Sequence, residues 1–290
     1  MTTPAATPAA AHPFDEAMAL QSLQAPEAGR RPAERWQGQA HPGYQNMVGP
    51  FGGITAAQAL RAVLLHPQRL GEPVTLTVNF AAAVDTGRPF WVEATPARTN
   101  RSTQHWTLQM LQADAQGEEQ VVLTGTAVTA LRRTTWSAVD AVMPQVPAPQ
   151  TLPRVPGVNR MEWIRRYDFR LCAGSLPLQW DGAEADSLTQ LWLRDDPPRS
   201  LDFCSLTACA DAFFPRVWRR RALMTPIGTV SMTVYFHASA AELQTTGSGY
   251  LLGQARAQSF FNGYFDQSAQ LWNEAGHLLA TTHQIVYFKE

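Results

Sequence analysis

Two stretches of the chain carry hydrophobic residues at helical spacing, and each is followed by short segments in which apolar and polar residues alternate. In residues 52–65, Leu60, Val63 and Leu64 fall on one face of a helix that must end before Pro67. In the second stretch Asp202 can cap a helix that runs to Phe214 and is stopped by Pro215. Both helices are nearly free of charge, which predicts that each is wrapped by a sheet rather than laid on a surface. The alternating segments that follow are separated by Gly, Asn and Asp and read as antiparallel strands.

The two halves also agree in detail. Residues 74–80 read VTLTVNF and residues 230–236, 156 positions further on, read VSMTVYF, identical at four of seven positions. Phe90-Trp91-Val92 has a counterpart in Tyr250-Leu251-Leu252, and the turn Asp114-Ala115-Gln116-Gly117 in Asn273-Glu274-Ala275-Gly276. A repeat of this length is too long for a solenoid unit, so each copy is expected to be a whole α+β domain, a helix against an antiparallel sheet. Between the copies, residues 137–157 hold five prolines, a composition that disfavours helix and inner strand. The expected organisation is an N-terminal tail with a short helix (1–33), a first domain (34–136), a proline-rich linker (137–159) and a second domain (160–290).

Composition narrows the function. The chain of 290 residues is 45% hydrophobic and 16% charged with a formal net charge of −1, so it has no field to hold nucleic acid or an anionic membrane. Cys172, Cys204 and Cys209 are odd in number and two lie in an apolar run, as reduced buried thiols would. The first residues have no basic segment followed by an apolar one, and no run of about 18 apolar residues occurs. A cytoplasmic protein without stable membrane association is expected. No phosphate-binding loop, dinucleotide fingerprint or nucleophile elbow is found, and the seven histidines show no metal-ligand spacing. Neither cofactor nor metal is expected.

Reading one copy as the structural control for the other isolates three polar residues, all in the second copy. Aligned on Pro67 and Pro215, Asp211 stands opposite Val63; the strand offset places Thr229 opposite Pro73 and Gln284 opposite Val128. Asp211 is the single charged residue between Asp202 and Arg216, so its carboxylate should be buried, where it is either a satisfied core group or a general base. Gln284 lies on the stripe Ala280, Thr282, Gln284, Val286, where an apolar residue would serve packing better. Thr229 taken alone is an ordinary strand residue, and strict alternation puts it on the face opposite Val230 and Met232 unless the chain bends at Gly228. Gly52 and Gly53 open a helix with free N–H groups, suited to a carbonyl or an oxyanion or simply to a turn. The run Arg216, Arg219, Arg220, Arg221 is either a solvated face or a set of phosphate ligands, of which Arg216, Arg219 and Arg220 are the candidates.

In these features the sequence resembles the acyl-CoA thioesterase II family, whose members fuse two hotdog domains in one chain. The resemblance spans roughly residues 34–135 and 160–290. It is carried by Val48-Gly49-Pro50-Phe51-Gly52-Gly53, by Ala210-Asp211-Ala212-Phe213-Phe214-Pro215, by Gly228-Thr229, and by Gly276-His277-Leu278 leading to His283-Gln284. It implies a tandem hotdog fold, an acyl-CoA substrate, and a catalytic Asp, Thr and Gln at Asp211, Thr229 and Gln284. It further implies backbone donors near Gly52 and Gly53, arginine contacts to CoA phosphates, and a homodimer. Two other readings remain: a non-catalytic acyl-CoA or lipid binder, and a hotdog hydratase in which His237 or His283 approaches Asp211.

Overall fold

The computed structural model describes residues 11–23, 34–157 and 161–290. The chain builds a continuous antiparallel sheet in two halves, each curled over a central helix. The first half contains α1 (Pro13–Ala17), β1 (Gln21–Leu23), β2 (Glu34–Gln39), α2 (Gly52–Leu65), β3 (Glu72–Phe80), β4 (Pro89–Thr99), β5 (Thr103–Ala113) and β6 (Glu119–Ala130). The second contains β7 (Arg170–Ala173), β8 (Thr189–Leu193), α3 (Phe203–Cys209), α4 (Arg216–Arg221), β9 (Ile227–Phe236), α5 (Ala240–Thr246), β10 (Leu251–Arg256), β11 (Phe260–Phe261), β12 (Tyr264–Asn273) and β13 (Leu278–Phe288). Strand order is β1-β2-β4-β5-β6-β3-β9-β13-β12-β10-β8-β7, with β11 paired to β12 alone. This is the expected tandem hotdog.

The halves meet at β3 and β9, the two segments in which the repeat is plainest. Their register pairs Thr75 with Tyr235, Thr77 with Thr233 and Asn79 with Ser231. Thr77 and Thr233 are equivalent by the repeat offset and their hydroxyls touch at 3.0 Å, so the pseudo-two-fold axis passes between them. The hydrophobic stripe of α2 is buried as its spacing demands: Leu60 and Val63 are wholly inaccessible, packed with Leu76, Val92 and Leu108 of the sheet in one core that also holds α3.

The second helix departs from the expected span. Asp202 caps it, accepting from the Ser205 N–H at 2.8 Å, but α3 ends at Cys209, not Phe214. Beyond Cys209 the chain tightens: Asp211 N–H donates to the Ala208 carbonyl at 3.2 Å, Ala212 N–H to the Cys209 carbonyl at 3.1 Å, and Phe213 N–H to the Asp211 carbonyl at 2.8 Å. Asp211 therefore sits in a tight turn beyond the helix, and the correspondence of Asp211 with Val63 along two equal helices does not hold. The ladders also refine the strand correspondence. Leu76 pairs with Ala127 and its equivalent Met232 pairs with Gln284, so the counterpart of Gln284 is the buried Ala127, one residue from Val128.

The described part of the N-terminal tail is folded into the same core: α1 buries Phe14 there and β1 pairs with β2. The linker follows the outer face of the second half, where Ala141, Met143, Val146 and Leu152 cover Trp192, Tyr250, Leu252 and Trp272 and the Pro147 carbonyl accepts from Trp192 Nε1 at 2.9 Å. The expected domain limits at 33–34 and 159–160 fall outside the described residues.

Candidate active site

Asp211 is carried by the broken turn into the seam between the halves, against the first turn of α2. Two glycines make the approach possible. A Cβ on Gly52 would stand 2.9 Å from Asp211 Oδ2, and one on Gly53 would stand 2.7 Å from the Ala208 carbonyl, distances that no real side chain tolerates. No side chain of the residue before α2, Phe51, caps that helix, so its free N–H groups and positive dipole end face the carboxylate.

Two donors hold the carboxylate. Gln284 Nε2 donates to Asp211 Oδ1 at 2.8 Å, and the Gly53 N–H adds a second, smaller contribution. Against them stands burial, and burial wins: although Asp211 keeps a narrow window to solvent, the protein around it pushes its carboxyl up to about 7. A carboxylate at that point exchanges protons readily near neutrality, which is what a general base requires.

Thr229 reaches the same face of the sheet by a β-bulge. In the β9–β13 ladder Ile285 pairs with Ser231 while Val286 pairs with Thr229, leaving Val230 as the extra residue. Val230 turns to solvent and Thr229 joins Met232, Gln284 and Val286 on the inner face. The bend expected at Gly228 is thus a bulge at Val230, and the first half repeats it at Val74, between Pro73 and Thr75. Among the described residues, Thr229 makes no hydrogen bond to Asp211 or Gln284; it is the diagonal neighbour of Gln284 across the ladder.

The arginine run is not an open basic face. Arg216 is fully buried, its guanidinium spread over the Phe214 and Ser187 carbonyls, Thr189 Oγ1 and Gln267 Oε1, and burial pushes its pKa down to about 9. It cannot meet a CoA phosphate; it pins the segment that follows Asp211. Arg219 is held by the Leu188 and Ser175 carbonyls and by Asp186, and Arg220 by Glu184 at 2.7 Å. The histidines do not approach Asp211 either. His237 bonds Thr281 Oγ1 and His283 faces Asp266, both on the outer side of the sheet.

With this geometry in place, the similarity to known proteins can be read. The acyl-CoA thioesterase N-terminal domain family matches residues 41–130, and the acyl-CoA thioesterase C-terminal domain family matches residues 139–288. The chain belongs to the acyl-CoA thioesterase family. Among solved structures, a conserved protein of unknown function with a hotdog fold from Alicyclobacillus acidocaldarius is 48% identical, over 97% of this chain and 99% of that one, with a TM-score of 0.85. A putative thioesterase II from Thermobifida fusca, 18% identical over 96% and 97% of the two chains, superposes with a TM-score of 0.74. A tesB protein from Mycobacterium avium subs paratuberculosis, 17% identical over 96% and 98%, gives 0.72. At those identities the last two speak for the thioesterase fold alone. No curated protein sequence matches the chain.

The sequence had signals left unread. Ser239, the cap of α5, and Glu242 in its first turn form a capping box, with Glu242 accepting from the Ser239 N–H at 2.6 Å. Tyr167, whose phenol interacts electrostatically with Asp211, and Tyr44, whose ring meets it edge to face, carried no periodic or motif signal because each stands in an irregular segment.

Proposed function

We propose that the protein hydrolyses a fatty acyl-CoA thioester to the free acid and CoA, with Asp211 as general base. The observation that carries this reading is a carboxylate poised near pH 7 between an amide donor and a helix N-terminus, in a seam with no histidine or cysteine nucleophile bonded to it. A water molecule held by Asp211 and Gln284, with Thr229 beside them, attacks the thioester carbonyl while Asp211 takes its proton. The carbonyl oxygen becomes an oxyanion stabilised by the N–H groups of Gly52 and Gly53. The Gly53 N–H passes from Asp211 to the oxyanion as the carboxyl is neutralised. Collapse of the tetrahedral intermediate breaks the C–S bond, and the departing thiolate recovers the proton from Asp211. Atoms and charge then balance: acyl-CoA and water give acid and CoA thiol without a covalent intermediate.

The test is thiol release from acyl-CoAs of graded length by the native chain and by Asp211→Asn. Turnover by the native chain with binding but no turnover by the variant supports the reading. Binding of acyl-CoA by the native chain with no thiol released would replace it with a non-catalytic acyl-CoA binder.

A further inference from the structure

Behind Asp211 the seam between the halves is lined by buried polar atoms that no group among the described residues satisfies. Tyr44 and Tyr167 are 0% and 1% exposed and Asp195 4%, yet Tyr44 OH, Tyr167 OH and Asp195 Oδ1 have no hydrogen-bond partner among the described residues. Trp163 Nε1 and Asn46 Oδ1, in the same two facing segments, are in the same position. Buried polar groups of this kind are few in a native protein, and their concentration in one seam asks for a ligand.

The groups are contiguous. Tyr167 and Asp195 are opposite one another in an isolated antiparallel bridge. The rings of Tyr44 and Tyr167 meet edge to face at 6.5 Å, and Tyr167 lies 6.3 Å from Phe51, which stacks on Trp163 at 4.1 Å. Phe51 immediately precedes Gly52, so the line of groups ends at the helix start where Asp211 is held. At the far end the second oxygen of Asp195 accepts from Ser205 Oγ at 2.5 Å, on the helix that leads into the Asp211 turn. Burial raises the Tyr167 phenol well above its ordinary range, and Tyr44, Cys209, Asp195 and Asp211 add to this, so both carboxyls act on it electrostatically.

The chemistry selects the ligand. Asp195 Oδ1 and Asn46 Oδ1 accept, Trp163 Nε1 donates, and the phenols do either. A cation would leave the indole N–H unmet and an anion would be repelled by the carboxyl and amide oxygens. Water alone serves all of them.

We propose that this seam is a water conduit: a file of buried water molecules, anchored by Asp195 Oδ1, Tyr167 OH and Tyr44 OH, that supplies the attacking water to Asp211 from behind the acyl group. The delivery role rests on the hydrolytic reading above, since each turnover consumes one water while substrate covers the front of the site. Tyr44 and Tyr167 act on the reaction through that water and are positioning residues.

Two measurements separate the parts. A high-resolution crystal structure of the full chain is expected to show ordered waters within hydrogen-bond distance of Tyr44 OH, Tyr167 OH and Asp195 Oδ1. Direct bonds among those groups, with no water between, would overturn the conduit whatever the activity. Tyr44→Phe and Tyr167→Phe keep the rings and remove one anchor each. Both are expected to lower kcat severalfold with KM for acyl-CoA unchanged, and to make kcat more sensitive to added osmolyte. Wild-type kcat and osmolyte response in both variants would overturn delivery. Failure of the native chain to release thiol would instead overturn the hydrolytic reading and delivery with it, leaving the crystallographic result to decide the hydrated seam.

Discussion

The two halves share a scaffold down to a β-bulge at equivalent positions, Val74 and Val230, yet they differ at their helix termini. The first turn of α3 is closed by its own neighbour, Asp202. The first turn of α2 follows Phe51, which offers no cap, and it receives a carboxylate from the other half. The helix that ends early is the one that supplies this carboxylate: α3 stops at Cys209, well short of Pro215, while α2 runs on to Leu65 before Pro67 stops it. One composite site results where the pseudo-symmetry would allow two. Local capping and the early end of α3 distinguish the two helix starts.

That comparison can be broken at several points. Asp211→Asn removes the proposed base; kcat for thioester hydrolysis is expected to fall about 10²–10⁴-fold, read by thiol release. Gly53→Ala puts a methyl group into the Ala208 carbonyl and should cost about 1–3 kcal/mol, read as a lower urea midpoint at unchanged slope. Gln284→Ala copies Ala127 into the second half. Loss of its hydrogen bond to the carboxylate, about 1.5–3 kcal/mol, should cut kcat at pH 7 roughly tenfold or more and move the rising limb of the pH–rate profile upward.

A fourth prediction concerns stability, and its sign follows from burial. Asp211 titrates at about 7 in the folded protein against about 3.9 in an unfolded chain, so the folded state binds the proton more tightly. Its contribution is most favourable below pH 4 and is lost as pH rises through 7. Asp211→Asn should therefore gain stability over the native chain as pH rises from 4 to 7, levelling off at about 4 kcal/mol above pH 7, measured by denaturant unfolding at several pH values. The smallest effect is expected for Thr229→Val, a severalfold loss in kcat with the fold intact, since Thr229 bonds neither Asp211 nor Gln284.

Much of this architecture is written locally in the chain. The span of α2, the equivalent strands β3 and β9, and the matching turns at Asp114 and Asn273 follow from spacing and turn chemistry, as does the polar outlier Gln284 on an apolar stripe; that β3 and β9 pair with each other does not. What escaped depends on interactions distant in sequence. Arg216 reads as part of a surface charge run, and its burial requires carbonyls from Phe214 and Ser187. The face occupied by Thr229 depends on a bulge that only the opposite strand reveals. The polar atoms of Tyr44, Tyr167 and Asp195 become neighbours when the halves close on each other.

The linker has a further consequence for the life of the protein. It lies over an apolar patch that includes two tryptophans, and Arg154 and Val155 bond along the end of the sheet, at Arg170 and Phe169. A proteolytic cut between residues 137 and 150 leaves Arg154 and Val155 on that edge but frees Ala141, Met143 and Val146 from the tryptophans, and the nicked protein is expected to self-associate, read by light scattering.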